Sequence, residues 1–175
     1  MIGKKLRELL DDEFSAEVEA AVLVPIKDCE DPKLVMIKRG KNLTRSSGQV
    51  AFPGGMREDG ESPVETALRE AREELGIRRA EVLGYLNPTM VMAYEIWICP
   101  VVGIIYDLNF EPDGYEVSRV LVDRLKNVLK SRRVTDWGAT FYCDGELVWG
   151  ASSRVLDDLY MRIVSRYGSV DAFFH

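Results

Sequence analysis

Residues Gly55 to Ile77 read GMREDGESPVETALREAREELGI, a glycine-led loop running into a helix with both ends marked. Ser62 can cap, Pro63 suits the first helical position, and Glu65 can close a capping box with Ser62. Gly76 stands where a C′ glycine ends a helix. Between these markers Val64, Ala67, Leu68, Ala71 and Leu75 form one stripe at helical spacing, which predicts a buried face. Glu70, Glu73 and Glu74 lie three and four residues apart and share the neighbouring face. Carboxylates so placed repel one another, and Glu73 and Glu74 sit near the helix C-terminus, where the dipole disfavours anions. Glutamate-rich helix faces are commonly solvated, so the carboxylates alone decide little. A cation that relieves the repulsion accounts for the pattern, and clustered carboxylate oxygens suit a hard divalent ion, Mg²⁺ or Mn²⁺.

The spacing of the whole stretch says more than the glutamates. Five residues separate Gly55 from Glu61, and seven more lead to Arg69-Glu70. An apolar residue, one free position, Glu73-Glu74, another free position, Gly76 and an apolar residue complete it. At every fixed position this resembles the signature of the Nudix hydrolases. The resemblance implies an α/β fold (α+β), an α/β/α sandwich with a central mixed β-sheet, in which residues 54–77 are the catalytic loop and helix. It implies metal-assisted hydrolysis of a nucleoside diphosphate linked to another group. Glu70, Glu73 and Glu74 match the family's metal-binding glutamates, and Gly55 the position that offers a backbone carbonyl to metal. Arg69 matches the arginine that pairs with motif carboxylates, and Glu61 the residue that orients loop and helix. The general base comes from the box, at Glu73 or Glu70, or from a later loop. There Glu116 is preferred, ahead of Glu95, Glu111 and Asp113.

At 175 residues, 46% apolar and 30% charged, the chain fits one globular domain over residues 1–175. No long apolar run marks a membrane span, and Met1 to Lys5 is not followed by the apolar core of a signal peptide, so a cytoplasmic protein is expected. The net charge of −6 argues against a basic nucleic-acid-binding surface. Cys29, Cys99 and Cys143 are widely spaced and read as reduced residues. The one histidine, His175, is far from the box, which argues against a histidine metal site or a serine triad.

Elsewhere, Ile2, Leu6, Leu9 and Leu10 suggest a short amphipathic helix. Strands are expected at 16–26, 34–38, 81–86, 95–106 and 116–122, with a short extended piece at 49–52. Helices are expected at 123–130 and 151–167. Asp144-Gly145 reads as the two-residue turn of a hairpin. Trp149, between that hairpin and the last helix, is expected in the core.

Substrate must be read outside the box. Arg39, Lys41 and Arg45 lie in or beside the loop leading to the site, and guanidinium groups match phosphate geometry. The stretches Arg45 to Gly55 and Leu147 to Leu156 are similar to the coenzyme A diphosphatase branch of the Nudix family. That branch implies cleavage of coenzyme A to 3′,5′-ADP and 4′-phosphopantetheine. The chain departs from it at Ile37-Lys38-Arg39-Gly40, where Thr-x-Arg-Ser is usual, and at Arg45 to Gly48, which is shorter and lacks a histidine. ADP-ribose, another nucleotide sugar or a nucleoside triphosphate is the alternative substrate. A Nudix-fold module that binds nucleotide without catalysis is the alternative of another class. Many relatives form dimers, and the N-terminal helix or an apolar strand edge would supply a homodimer interface.

Overall fold

The structure, a computed structural model, describes residues 1–175. After a short helix α1 (Gly3–Leu9), the chain forms β1 (Ala20–Lys27), β2 (Lys33–Arg39), β3 (Val50–Ala51) and β4 (Gly54–Met56). The box helix α2 (Pro63–Leu75) follows, then β5 (Ala80–Tyr85), β6 (Thr89–Val91), β7 (Ile96–Ile105) and β8 (Val117–Arg124). The remainder comprises α3 (Leu125–Lys130), β9 (Arg133–Thr135), β10 (Gly138–Cys143), β11 (Glu146–Val148), α4 (Ala151–Tyr167) and α5 (Val170–Phe173).

The middle strands are nearly continuous apolar runs because both of their faces are covered. Successive side chains point to opposite faces. In β1, Val24 and Ile26 join the larger core with α1, α3, α4 and α5, while Ala21 and Leu23 pack against Ala67 and Ala71 of α2. In β2, Leu34 and Met36 face the larger core, and Val35 and Ile37 pack with Leu75 at the end of α2. Three layers result, with α2 on one face of the sheet and the other helices across it.

The sheet is mixed. β1 and β7 run parallel side by side, and β1 to β2, β2 to β8 and β5 to β7 are antiparallel. The pairing of β1 and β2 covers only Ile26↔Leu34 and Lys27↔Lys33. Beyond it the two strands part. β4 then pairs with Ala20–Val22 of β1, and β3 pairs with Ile37 and Lys38 of β2. The chain from Val50 to Met56 fills this opening, and Leu23 N–H donates to the Pro53 carbonyl at 2.8 Å.

The expected elements recur with shifted ends. β1 starts at Ala20 rather than Ala16, and α3 at Leu125 rather than Asp123. The β10–β11 turn has Asp144 at φ 49° and Gly145 at φ 80°, the left-handed pair that a two-residue hairpin needs. β4, β6, β9 and α5 have no counterpart among the sequence expectations. β4, β6 and β9 have only three residues each and exist through their pairing partners. Trp149 corrects an expectation: it is 52% exposed, and Phe141 and Val148 fill the core there instead. Cys99 and Cys143 are buried free thiols whose pKa values burial pushes up to about 12, so both stay protonated. No helix is long and apolar enough to cross a membrane.

Candidate active site

The box helix is stopped at both ends as its letters require. Ser62 accepts from the Glu65 N–H, and Glu65 in turn accepts from the Ser62 N–H, at 3.2 and 3.1 Å. Gly76 closes the helix at φ 72°, and the Ile77 N–H turns back to the Ala71 carbonyl. With Ala67, Ala71 and Leu75 against the sheet, Glu70 and Glu74 are carried to the edge facing β4 and the loop before β8.

Gly54 and Gly55 allow that approach. A Cβ on Gly54 would lie 2.4 Å from the Ala21 carbonyl oxygen, and one on Gly55 would lie 2.6 Å from Cδ of Glu70. The Gly54 N–H donates to Glu74 Oε1 at 3.1 Å. Glu74 is only 2% exposed, and its second oxygen, Oε2, is buried with no hydrogen-bond partner.

The third carboxylate arrives from a distance of more than 40 residues. The N–H groups of Glu111 and Asp113 each donate at 2.8 Å to the carbonyls of Leu75 and Glu74, so the loop before β8 caps the end of α2. The Asp113 side chain accepts from the N–H groups of Tyr115 and Glu116. Gly40 N–H donates to the Glu116 carbonyl at 2.9 Å, and a Cβ on Gly40 would fall 2.0 Å from the Tyr115 oxygen. These contacts bring Glu116 to Glu70 and Glu74, with one carboxylate oxygen from each lying within 4.8 Å of the others.

Arg69 organises the opposite rim. Its guanidinium grips Glu61 through two nitrogens at 2.7 and 3.0 Å, and reaches Glu70 Oε1 at 2.9 Å and the Met56 carbonyl at 3.1 Å. Its contact with Glu73 is longer, 3.3 Å, and the Glu73 side chain is 57% exposed, outside the three-carboxylate cluster. Glu61 also accepts from Thr66 Oγ1 and the Glu58 N–H. The Arg69 hydrogen bonds, with this backbone donor, hold Glu61 down to about 2. Burial pushes Glu74 up to about 8, and the neighbouring charges of Glu70 and Glu116 add to it against the Gly54 hydrogen bond and the Arg39 charge. Burial likewise raises Glu70, against the pull of Arg69.

Of the cations expected at the mouth, Arg39 borders this cluster. It donates to the Arg45 carbonyl at 3.3 Å and leaves its buried Nε without a partner. Arg45 lies over the Tyr94 ring, 4.8 Å from its centre. Lys41 is exposed in the same loop. Glu95, Glu111 and Asp113 do not join the carboxylate cluster. Tyr94 and Gly40 escaped sequence reasoning as site residues, since only distant partners distinguish them, and Thr66 escaped it although its bonds to Glu61 and Ser62 are local.

Two strands parted around a glycine turn, with a helix laying carboxylates against it, form an acidic site suited to a divalent cation. The NUDIX domain model matches residues 18–128, and the chain belongs to the Nudix hydrolase family. It is therefore a hydrolase of pyrophosphate bonds in nucleoside diphosphate derivatives. It is 34% identical to the uncharacterized Nudix hydrolase NudL of Escherichia coli K12, across 90% of this chain and 89% of that protein. The NudL of Shigella boydii serotype 18 matches to the same extent. Among solved structures, the fold is like that of a MutT/nudix family protein of Enterococcus faecalis, with a TM-score of 0.60 at 14% identity, over 91% of this chain and 67% of that one. The Nudix domain of Shewanella oneidensis NrtR, solved with ADP ribose, aligns with a TM-score of 0.54 at 18% identity, over 87% of this chain and 90% of that one.

Proposed function

We propose that residues 1–175 act as one Nudix domain that hydrolyses coenzyme A to 3′,5′-ADP and 4′-phosphopantetheine, with Mg²⁺ or Mn²⁺ bound at Glu70, Glu74 and Glu116. The observation that carries the metal site is Glu74 Oε2. A buried carboxylate oxygen with no hydrogen-bond donor, beside two more carboxylates, is satisfied either by a proton or by a cation that displaces it, and the cluster of three suits the cation. Glu73 adjoins the site from its solvent side, and the Gly55 backbone adds an uncharged oxygen. A bound divalent ion supplies neutralisation of phosphate charge and lowers the pKa of an attacking water.

The chain's own residues do the rest. Arg69, locked by Glu61, keeps Glu70 and Glu73 from swinging out of position. Arg39, Arg45 and Lys41 hold phosphate oxygens on the mouth side, where guanidinium forks match their geometry. A carboxylate, either Glu73 or the oxygen of Glu116 that does not hold the cation, takes the proton of the water that attacks phosphorus while the bridging oxygen leaves with the other product. pH–rate profiles of Glu116→Gln and Glu73→Gln tell the two apart, because the base is the one whose loss removes the acid limb.

The stretches Arg45 to Gly55 and Leu147 to Leu156 support coenzyme A. ADP-ribose is the second reading, favoured by the ligand in the Shewanella Nudix domain. Product analysis with Mg²⁺ or Mn²⁺ against coenzyme A, dephospho-coenzyme A, ADP-ribose and a nucleoside triphosphate tests both. Release of 3′,5′-ADP, with coenzyme A preferred, is the expected result. Preference for ADP-ribose moves the substrate assignment, and no turnover of any of the four overturns the catalytic reading.

A further inference from the structure

Unpaired cations gather in two places on this acidic chain. One is the mouth of the carboxylate cluster. The other is a groove of about 550 Å³ whose lining includes Leu68, Arg72, Ile77, Arg78, Arg79 and Tyr106. Arg72 lies two residues from each of Glu70 and Glu74, roughly 160° around the helix from them. The groove is thus on the flank of α2 turned away from the active site.

The charges in it are not balanced from within. Arg72 and Arg79 form no ion pair, and Arg78 reaches only Glu111, at 4.0 Å. Lys27, outside the lining, donates to the Tyr106 carbonyl at 2.6 Å and forms no ion pair. The one carboxylate in the lining, Glu81, is taken by Arg7 at 3.1 Å. Arg69 contributes its stem, since its guanidinium is occupied by Glu61, Glu70 and Glu73. Arg79 lies over the Tyr106 ring, 4.7 Å from its centre, a contact that favours this placement of its donors. Leu68, Ile77 and Ala80 supply the apolar lining.

We propose that this groove is a second, non-catalytic site that binds a phosphorylated small molecule carrying two or more phosphate groups. Arg72, Arg78 and Arg79 gather on one exposed patch of a chain whose net charge is −6, and their planar forks match phosphate oxygens in pairs. The volume lies within the roughly 300–1,000 Å³ typical of small-ligand sites. This site does not depend on which diphosphate the active site cleaves.

The test is calorimetric titration of inorganic tripolyphosphate into the metal-free protein, in EDTA at low ionic strength. Wild type is compared with a groove variant, Arg72→Gln with Arg79→Gln, and a mouth variant, Arg39→Gln with Arg45→Gln. At least tenfold weaker binding in the groove variant, with a smaller loss in the mouth variant, supports the site. Wild-type binding in the groove variant, or loss in the mouth variant alone, overturns it. Amide NMR of wild type gives an answer independent of variant folding. Shifts at Leu68, Ile77, Arg79, Ala80 and Tyr106 support the site, and shifts confined to Arg39 to Gly48 overturn it. Titrating ADP beside inorganic pyrophosphate then tells a nucleotide site from a polyphosphate site.

Discussion

The Gly54 N–H donates to one oxygen of Glu74 at 3.1 Å, while the other oxygen of that carboxylate is buried without a partner. Half of the side chain is thus satisfied by protein and half is left to whatever binds there.

Glu74→Gln removes a metal-binding charge at almost constant volume, and the proposed site predicts that activity falls by several orders of magnitude while the fold persists. Steady-state assay at saturating Mg²⁺ beside circular dichroism checks it. Turnover like that of wild type would mean that Glu74 does not hold the cation.

The pH dependence has a definite sign. With its pKa raised to about 8 from the ordinary 4.5, Glu74 keeps its proton in the folded metal-free protein after the unfolded chain has lost it. The folded state then binds more protons, so stability falls as pH rises from 4.5 through 8. In EDTA, Glu74→Gln is expected to flatten this part of a Tm-against-pH curve. Cation binding near pH 7 should release a proton, visible as calorimetric heats that change with buffer.

Glu61 has the opposite sign. Arg69 holds its pKa at about 2, so its contribution is complete above the unfolded value of 4.5 and is lost as pH falls towards 2. Glu61→Gln should therefore lower Tm at pH 7 and narrow the gap to wild type in acid. A gap independent of pH would remove the ion pair from the account.

Two neighbouring glycines should respond differently. On Gly54 a methyl meets strand backbone, the Ala21 oxygen at 2.4 Å, so Gly54→Ala is expected to cost about 1–3 kcal/mol of stability. On Gly55 it meets the end of the Glu70 side chain, which makes room by shifting away from Arg69 and out of the carboxylate cluster. Gly55→Ala is expected to keep its Tm within a few degrees and lose activity at least tenfold. Denaturant melts with kinetic assays separate these outcomes.

Trp149→Ala, at a residue 52% exposed, should cost about 1–2 kcal/mol through the covered half of its ring. Phe141→Ala, at a fully buried ring, should cost about 3–5 kcal/mol. Urea melts of both variants test the contrast, and a large loss at Trp149 would place its ring in the core.

The box helix was legible because everything that makes it is local. Ser62, Pro63, Glu65 and Gly76 act within a turn of themselves, and the alignment of Glu70 with Glu74 follows from helical spacing. The long apolar strands and the Asp144-Gly145 hairpin were legible for the same reason. Trp149 misled because hydrophobic character says that a residue prefers burial, not that its position provides it. The three-residue strands carried no periodic signal, and a loop glutamate such as Glu116 looks like any exposed one.

Sequence by itself therefore determined the helix, its caps and the carboxylates on its edge, since each depends on residues no more than a few positions away. Tertiary structure alone decided that β1 and β2 part around Gly54, that the loop before β8 caps α2, and that Glu116 rather than Glu73 stands with Glu70 and Glu74. Those outcomes rest on backbone hydrogen bonds and close approaches between segments far apart in the chain, which no local pattern encodes.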